Sequence, residues 1–346
     1  MFLGTETEAM EAHGPQGDER PAHIPVLPAQ IVETFRGLDA SLRSGWIVDA
    51  TLGLGGHTEL LLESLPEIRV LGVDHDPSAL ALSRARLERF GARVRLCRGR
   101  FSELSRVLSE AHIGLPVGML FDLGVSSMQL DVAERGFSFQ NDGPLDMRMD
   151  PSRDRNAADI VNHWDESDLA DLFFYEGGET RARRIARTIV EARRRAPFLR
   201  TAPLADVVAN ALGASGKGKI HPATRVFQAL RRAVNEEGDE LLAALETAEN
   251  WLADGGRLAV IAFHSGEDGE VKRFLAARAR EQRFTLLVKK PIEPDYAERR
   301  SNPRSRSARL RLAVRVRAAD EAAPIHAIEA LEPNADTSAS TERNAP

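Results

Sequence analysis

Cysteine is nearly absent from this 346-residue chain, which contains one, Cys97. A single thiol excludes an intramolecular disulfide framework, so a hydrophobic core must hold the fold, and a reducing cytoplasmic environment is expected. Cys97 lies in an apolar run, which favours a small buried side chain over a nucleophile. With 42% hydrophobic residues, the chain is long enough for a sizeable core and two domains.

Long apolar stretches are also missing. No segment approaches the ~18 uninterrupted apolar residues of a membrane-spanning helix. Residues 1–20 are acidic and lack the basic start and apolar stretch of a secretory signal. We therefore expect neither a membrane span nor export.

Clusters of cysteine and histidine with the spacing of metal ligands are absent as well. Zinc sites need three or four such ligands together. We therefore expect no metal bound by the protein itself, and a magnesium ion held through the phosphates of a ligand is left open.

The chain also has no net excess of basic residues, and its formal net charge is -6. The acidic residues collect in residues 1–20 and 318–346, whose low hydrophobicity predicts disordered tails. The basic residues collect inside the chain, at Arg181, Arg183, Arg184, Arg187, Arg193, Arg194, Arg195, Lys217, Lys219, Arg299, Arg300, Arg304, Arg306, Arg309 and Arg311. Such local basic surfaces suit contact with phosphates. The alternative for residues 181–195 is a solvated helix face whose arginines pair with Glu191 and its neighbours.

Strand and helix patterns alternate along the chain, which indicates a mostly parallel sheet with crossover helices. The predicted strands are residues 46–50, 69–73, 93–97, 117–123, 257–263, 284–288 and 309–316. The predicted helices are residues 58–65, 78–90, 101–111, 157–164, 166–175, 180–194, 204–212, 223–234, 239–253 and 267–280. Six of these helices, and well over a hundred residues, lie between the fourth and fifth strands, where an ordinary crossover unit needs only about 30 residues.

We therefore predict an α/β fold with a doubly wound, mostly parallel, seven-stranded Rossmann-like sheet and an inserted all-α domain. The sheet domain comprises residues 21–130 and 236–317, and the insert comprises residues 131–235. We expect the insert to lie at the edge of the sheet where the ligand binds.

The segment that indicates a ligand most strongly is residues 49–57 (DATLGLGGH), which follows an apolar strand and precedes a helical pattern. Glycines at such a turn let a nucleotide-like ligand lie against bare main chain. A dinucleotide fingerprint would need a third glycine where Thr58 stands, which argues against a dehydrogenase. The carboxylate of Asp49 beside the turn suits a cationic ligand such as S-adenosylmethionine, which carries an ammonium and a sulfonium.

Asp74 ends the second predicted strand, about 20 residues beyond the glycines, where an acid accepts hydrogen bonds from ribose hydroxyls. The alternative for Asp74 is a helix cap before Pro77, although Asp76 suits that position better. Phe101 follows the third predicted strand, where an adenine would lie, and an ordinary core position is its alternative.

Asp122 ends the fourth predicted strand, over the crevice where reacting groups lie in such folds. Transfer of a methyl group from a sulfonium to an amine needs alignment and exclusion of water more than acid or base catalysis. An oxygen that accepts the amino N–H would orient the nitrogen, and Asp122 and the main-chain carbonyls after it are candidates. The acid or amide, two prolines and aromatic of DNA amino-methyltransferases are absent here, which disfavours that class.

These segments, together with five others, resemble the bacterial ribosomal RNA small subunit methyltransferase H family. The others are residues 22–27 (AHIPVL), 134–139 (ERGFSF), 221–231 (HPATRVFQALR), 263–265 (FHS) and 302–307 (NPRSRS). The resemblance implies S-adenosylmethionine-dependent methylation of the exocyclic N4 of a cytidine in the decoding region of 16S rRNA. The cofactor positions that it implies are Gly55, Gly56, His57, Asp74, Phe101, Asp122 and Gln129. The chain departs from the family pattern at Met128, where proline is usual, and at Gly266, where leucine is usual.

A cytidine in folded RNA must be splayed out of its stack to enter a pocket, and we expect the insert to clamp the RNA while this happens. The residues predicted to contact phosphates or to close over the nucleotide are Lys217, Lys219, Arg225, Arg231, Asn302 and Arg304. The predicted catalytic residues are Asp122, His264 and Ser265. For His264, as for His221, a capping or structural role is the alternative.

Two other functions stay open at this stage: a non-catalytic RNA-binding ribosome assembly factor, and an amino-methyltransferase that acts on another nucleic acid. The expected partner is 16S rRNA within the small ribosomal subunit, the expected location is the cytoplasm, and no membrane is involved. The sequence decides neither which nucleotide is modified nor whether the protein forms a homodimer.

Overall fold

A seven-stranded sheet forms the centre of the computed structural model, which describes residues 24–124, 132–213 and 221–316. The strands are β1 (Trp46–Asp49), β2 (Arg69–Asp74), β3 (Val94–Arg98), β4 (Gly118–Asp122), β5 (Arg257–Ala262), β6 (Phe284–Leu286) and β7 (Arg309–Arg315). Every predicted strand is present, and the ends differ from the prediction by one or two residues.

The order of the strands is β3-β2-β1-β4-β5-β7-β6. The first five strands are parallel, and β7 runs antiparallel between β5 and β6. The predicted doubly wound, mostly parallel sheet is confirmed. Because β1 lies between β2 and β4, the direction of winding reverses there, and the carboxyl ends of β1 and β4 flank the crevice in which such sheets bind ligands.

Helices cover the sheet and form the segment between β4 and β5. They are α1 (Pro28–Arg36), α2 (Gly56–Ser64), α3 (Pro77–Leu87), α4 (Leu104–Ala111), α5 (Ala157–His163), α6 (Glu166–Tyr175), α7 (Ala182–Arg193), α8 (Thr201–Leu212), α9 (Thr224–Asn235), α10 (Glu237–Trp251), α11 (Ser265–Arg280) and α12 (Tyr296–Ser301). Each predicted helix appears with its ends shifted by no more than about three residues, and α1 and α12 are additional to the prediction.

Three hydrophobic clusters hold these elements together. Two of them lie against the sheet, one around Phe121 and Phe284 and the other around Phe35 and Ile47. The third packs α5 to α9 against one another around Phe173, without a side chain from the sheet. An inserted helical domain requires a hydrophobic core of its own, and this cluster provides one. The boundaries of the insert at residues 131 and 235 stay predictions.

Among the helices in the described part of the chain, none is both long and apolar enough to cross a bilayer.

Candidate active site

A cavity of about 500 Å³ opens at the carboxyl ends of the parallel strands. The sheet and its loops supply one wall, and the insert and the segments beside it supply the other. Among the residues that line it are Gly53, Gly56, His57, Asp74, Phe101, Asp122, Asp150, Arg231, Glu237, His264, Glu267 and Arg304. The sheet and the insert therefore meet at this cavity.

The glycine turn after β1 forms one end of the cavity. Gly53 and Gly56 line it, and the main-chain N–H of Gly53 donates to Asp74 Oδ2 at 2.8 Å. Gly55 has a left-handed φ of 77°, and a Cβ added to it would lie 3.0 Å from Leu87 Cδ1. Gly55 therefore shapes the turn without lining the cavity, and its predicted contact with the cofactor stays a prediction.

Asp49 is not among the residues that line the cavity, and its predicted role beside a cationic ligand stays a prediction. It is 1% exposed and accepts hydrogen bonds from Thr58 Oγ1 at 2.7 Å and from the N–H of Thr51 at 3.2 Å. Burial raises the pKa of this carboxyl. Thr58, which stands where a dinucleotide fold would have its third glycine, is thus the hydroxyl that satisfies a buried acid.

Asp74 supports the glycine turn and also lines the cavity. Its Oδ2 accepts the N–H of Gly53, and its Oδ1 accepts the N–H of Asp76 at 2.9 Å. The cap of α3 is Asp76, whose carboxylate accepts the N–H of Ser78 at 2.8 Å. The capping alternative therefore belongs to Asp76, and Asp74 faces the cavity.

Phe101 combines the two roles considered for it. Its ring packs against Phe121 with centroids 5.4 Å apart, and it also lines the cavity. Beside it, Arg100 Nη2 lies 2.7 Å from Asp150 Oδ2, and this ion pair joins the loop after β3 to the first part of the insert. Burial opposes ionisation of Asp150, but the hydrogen bonds from Arg100 and Ser152 hold its pKa well below the usual range.

Asp122 carries the most unusual carboxyl of the cavity. Its Oδ1 is buried without a hydrogen-bond partner in the described part of the chain, and its Oδ2 lies 3.5 Å from His57 Nδ1. Burial raises the pKa of Asp122 to about 6, although the charge of His57 opposes the shift. His57 Nε2 lies 2.9 Å from the carbonyl oxygen of Val26, which can only accept, so Nε2 carries a proton. Asp122 therefore lines the cavity with a carboxyl group that has one oxygen without a hydrogen-bond partner in the described part of the chain.

His264 caps α11 and is bound to Glu267 through both ring nitrogens. Its Nδ1 accepts the main-chain N–H of Glu267 at 3.3 Å, so Nε2 carries the proton and donates it to Glu267 Oε1 at 2.7 Å. His264 therefore fits the alternative role of a helix-capping residue better than that of a free proton acceptor. Ser265 begins α11 and is not among the residues that line the cavity, so the structure does not place its side chain for the predicted catalytic role.

Arg231 forms part of the cavity wall as a member of an ion cluster. Its Nη2 donates to Glu237 Oε2 at 2.7 Å and lies 3.7 Å from Glu267 Oε1. Burial opposes ionisation of Glu267, but His264 and Arg231 lower its pKa. The guanidinium therefore has two carboxylate partners in the described chain, and its predicted contact with phosphate stays a prediction.

The ligand atoms of Glu237, His264 and Glu267 lie within 4.8 Å of one another, a spacing that could hold a metal ion. Because Arg231 already contacts both carboxylates, the cluster contains its own counter-charge. Glu267 could have been found from sequence, since an acid three residues after a cap is a common helix start. No local sequence pattern pointed to Glu237 as a residue of the site.

The other predicted substrate residues are dispersed. Asn302 is buried, donates from Nδ2 to the carbonyl of Ile24 at 3.2 Å and caps the turn that starts at Pro303. Arg304 lies on the rim of the cavity and forms no ion pair within the described ranges. Arg225 is outside the cavity, with Nη1 3.3 Å from the carbonyl of Gly178. Three further predicted residues, Gln129, Lys217 and Lys219, lie outside the described residues.

The basic helix α7 has few internal partners. Among its exposed arginines, Arg187 is 3.5 Å from Glu166, while Arg183 and Arg184 have no carboxylate partner in the described ranges. Glu191 pairs with none of them there. The charges on this helix are therefore available for an external anion, which favours phosphate contact over the alternative of a self-neutralised face.

Comparison with known proteins gives one family. A model described as the MraW methylase family matches residues 20–316. A protein from Synechococcus elongatus is 50% identical over 295 residues, which cover 85% of this chain and 95% of that protein. Another from Methylorubrum extorquens is 46% identical over 347 residues and covers 96% of both chains. Both relatives are named ribosomal RNA small subunit methyltransferase H.

A solved structure of an rRNA methylase from Streptococcus thermophilus aligns over 84% of this chain and 94% of that chain, at 13% identity. The TM-score of this alignment is 0.39.

Proposed function

This chain belongs to the MraW methylase family, and from that premise we propose that it methylates the exocyclic N4 of a cytidine in 16S rRNA of the small ribosomal subunit, with S-adenosylmethionine as the methyl donor. The observation that carries the proposal is the carboxyl group of Asp122, which lines the cavity and has one oxygen without a hydrogen-bond partner in the described residues. It lies in a cavity that also contains the glycine turn and Asp74.

Each part of the methyl donor, from the adenine to the methionine, can be matched to residues that line the cavity. Phe101 offers a face for the adenine, and Asp74 keeps free lone pairs for ribose hydroxyls. Gly53 and Gly56 bring bare main chain close to the methionine part, and the ionised carboxyl of Asp122 attracts its positive charge. When bound there, S-adenosylmethionine supplies a methyl group on a positively charged sulfur.

Asp122 also suits the acceptor amine, because an ionised carboxylate can hold an amino N–H and direct the nitrogen lone pair toward the methyl carbon. The lone pair forms the new N–C bond, the electrons of the C–S bond stay on sulfur, and the amine then has a proton to lose. A carboxyl with a pKa of about 6 is ionised at neutral pH and lies close enough to that pH to accept the proton. His264 and Glu267, which are bound to each other, keep the opposite wall in place.

The RNA has to present an unstacked cytidine to this cavity. We propose that Arg304 on the rim contacts a phosphate next to that nucleotide, since it has no ion-pair partner within the described ranges. Arg183 and Arg184 of α7 and the predicted contacts Lys217 and Lys219 would add to the basic surface of the insert.

The function is tested by incubating the full chain with methyl-labelled S-adenosylmethionine and small ribosomal subunits that lack the modification. We expect label on the N4 of a cytidine in 16S rRNA, located by digestion and mass spectrometry. RNA binding without incorporation would instead indicate an assembly factor, and label on another nucleic acid would indicate a different amino-methyltransferase.

We expect Asp74→Ala to weaken S-adenosylmethionine binding by about 10- to 150-fold, the effect of losing hydrogen bonds to a charged acceptor. The loss has two causes, because the carboxylate both faces the ligand and holds the N–H of Gly53. Isothermal titration calorimetry measures it, with Asp168→Asn on the exposed face of α6 as the control. An unchanged Kd in Asp74→Ala would remove Asp74 from the site.

We expect Arg304→Ala to raise the KM for small subunits by about tenfold and to make the salt dependence of binding less steep by about one ion, as the loss of one phosphate contact does. The affinity for S-adenosylmethionine should stay the same. Arg106→Ala is the control, because that arginine pairs with Glu110 on the exposed side of α4. A KM equal to that of the control would contradict the proposed contact.

A further inference from the structure

Two adjacent aromatic side chains are exposed at the carboxyl end of α6. Phe174 is 51% exposed and Tyr175 is 75% exposed, and their rings meet edge to face with centroids 5.1 Å apart. Aromatic residues make up only 5% of this chain. A pair of large rings left in water beside a polar rim is typical of a binding surface.

Positive charge lies next to the pair. The chain turns after Tyr175, and the Arg225 guanidinium, which is 56% exposed, contacts the carbonyl of Gly178 in that turn at 3.3 Å. α7 then returns along α6, so its first turn, with the exposed Arg183 and Arg184, lies beside the end of α6. We call Phe174, Tyr175, Arg183, Arg184 and Arg225 the aromatic–arginine face.

Negative charge borders the face on two sides. Near Arg225, the carboxylate of Glu179 lies 3.7 Å from Nη1, and Glu176 pairs with Arg232. Asp171 and Asp168 are exposed on α6 about one and two turns before Tyr175. They would repel a phosphodiester that ran toward the start of the helix. A phosphate backbone is therefore favoured on the side of the rings that carries the first turn of α7.

The face borders the active cavity through a short chain of contacts. Glu176, which follows Tyr175, accepts a hydrogen bond from Arg232 Nε at 2.5 Å. Arg232 Nη1 lies 3.3 Å from Nε2 of His264, and His264 lines the cavity. A polymer whose target nucleotide enters the cavity can therefore reach the face with a neighbouring nucleotide.

We propose that the aromatic–arginine face binds a single-stranded stretch of RNA beside the target cytidine. Bases stack on Phe174 and Tyr175, and phosphates contact Arg225 and the first turn of α7. Exposed rings next to arginines are the combination that binds unpaired nucleotides without reading their sequence. The inference rests on the proposed function, since it assigns a place to the RNA that the cavity methylates.

The test separates a stacking surface from a merely apolar one. The double variant Phe174→Leu with Tyr175→Leu keeps the apolar area but removes both π faces, whereas Tyr175→Phe keeps both. In methyl transfer to small subunits, we expect the leucine variant to raise KM about 5- to 150-fold, which is the usual effect of losing one stacked base. We expect kcat and the Kd for S-adenosylmethionine to stay the same, and Tyr175→Phe to behave like the natural protein.

The control is Leu199→Ala, which removes another exposed apolar side chain from the insert. The inference is overturned if the leucine variant keeps the natural KM. It is also overturned if that variant loses self-association in sedimentation while its RNA affinity is unchanged, because the face would then join two copies of the chain.

A second measurement keeps the inference independent of catalysis. The same variants are titrated with a fluorescein-labelled, unstructured 15-nucleotide oligoribonucleotide. If the natural protein transfers no methyl group, the proposed function fails, and this titration alone decides the face. A weaker affinity in the leucine variant supports the face, and equal affinities reject it.

Discussion

Replacing Asp122 with asparagine should abolish most methyl transfer and at the same time stabilise the unliganded protein. The amide keeps the shape of the side chain but cannot take a proton from the amine, a loss of about 10²- to 10⁴-fold in kcat. It also removes a charge that is costly to bury. The Asp122 carboxyl has a pKa raised from 3.8 to about 6, which corresponds to about 3 kcal/mol between folded and unfolded states.

The sign of the pH dependence follows from that direction. Because the folded state holds the proton more tightly, the natural protein is more stable when Asp122 is protonated, and it loses this stability as pH rises from about 4 through about 6. The asparagine variant should therefore gain most relative to the natural protein at pH 8 and nothing near pH 4. Methyl transfer by the natural protein should rise over the same interval, as the carboxyl becomes ionised.

Denaturant unfolding at pH 8 and pH 4 and single-turnover methyl transfer measure these effects. Glu246→Gln, at an exposed position on α10, serves as the acid-to-amide control and should change neither. Activity that survives in Asp122→Asn would remove Asp122 from the reaction. A variant that is less stable at pH 8 would mean that the buried carboxylate has a partner in the folded chain.

Replacing Arg232 with methionine should be the most destabilising single change at the boundary between the insert and the sheet domain. The guanidinium is 2% exposed, and it joins Glu176 at the end of α6 to Glu270 on α11, at 2.5 and 2.7 Å. Removing one member of a buried pair leaves charges without compensation and costs about 3–5 kcal/mol. Glu176 is 39% exposed, so the lower end of that range is expected.

The stability of Arg232→Met relative to the natural protein should fall as pH rises, whereas that of Asp122→Asn should increase. Burial raises the pKa of Glu270, and Arg232 opposes that shift. Without Arg232, Glu270 is held more strongly in its protonated form, so the variant should lose more stability at pH 8 than at pH 5. Activity should fall with stability, because Arg232 also contacts the ring of His264 in the cavity.

The control for this prediction is Arg187→Met, which breaks an exposed pair with Glu166 and should cost at most about 1 kcal/mol. Thermal unfolding followed by circular dichroism compares the two variants. Equal stability of the two would show that the contacts of Arg232 do not hold the insert against the sheet domain.

The fold and the place of the cavity could be predicted because their signals are local. Buried strands read as short apolar runs, and the position of β1 between β2 and β4 follows from the rules of parallel sheets. The glycine turn and Asp74 mark the end of the sheet that binds ligand. The helix α1 was missed because its apolar face is short, and it begins directly after Leu27 in a left-handed conformation.

Sequence by itself therefore determined the class of fold, the ligand end of the sheet, the helical insert and the resemblance to a methylase. Only the tertiary structure decided which charged groups are free, because that depends on partners far away along the chain. Asp49 is satisfied by Thr58, whereas Asp122 retains an unpaired oxygen. Arg231 is bound by acids of α10 and α11, while Arg183 and Arg184 stay unpaired within the described ranges. A carboxylate or a guanidinium looks the same in either setting, and only its neighbours in space determine whether it stabilises the fold or binds a ligand.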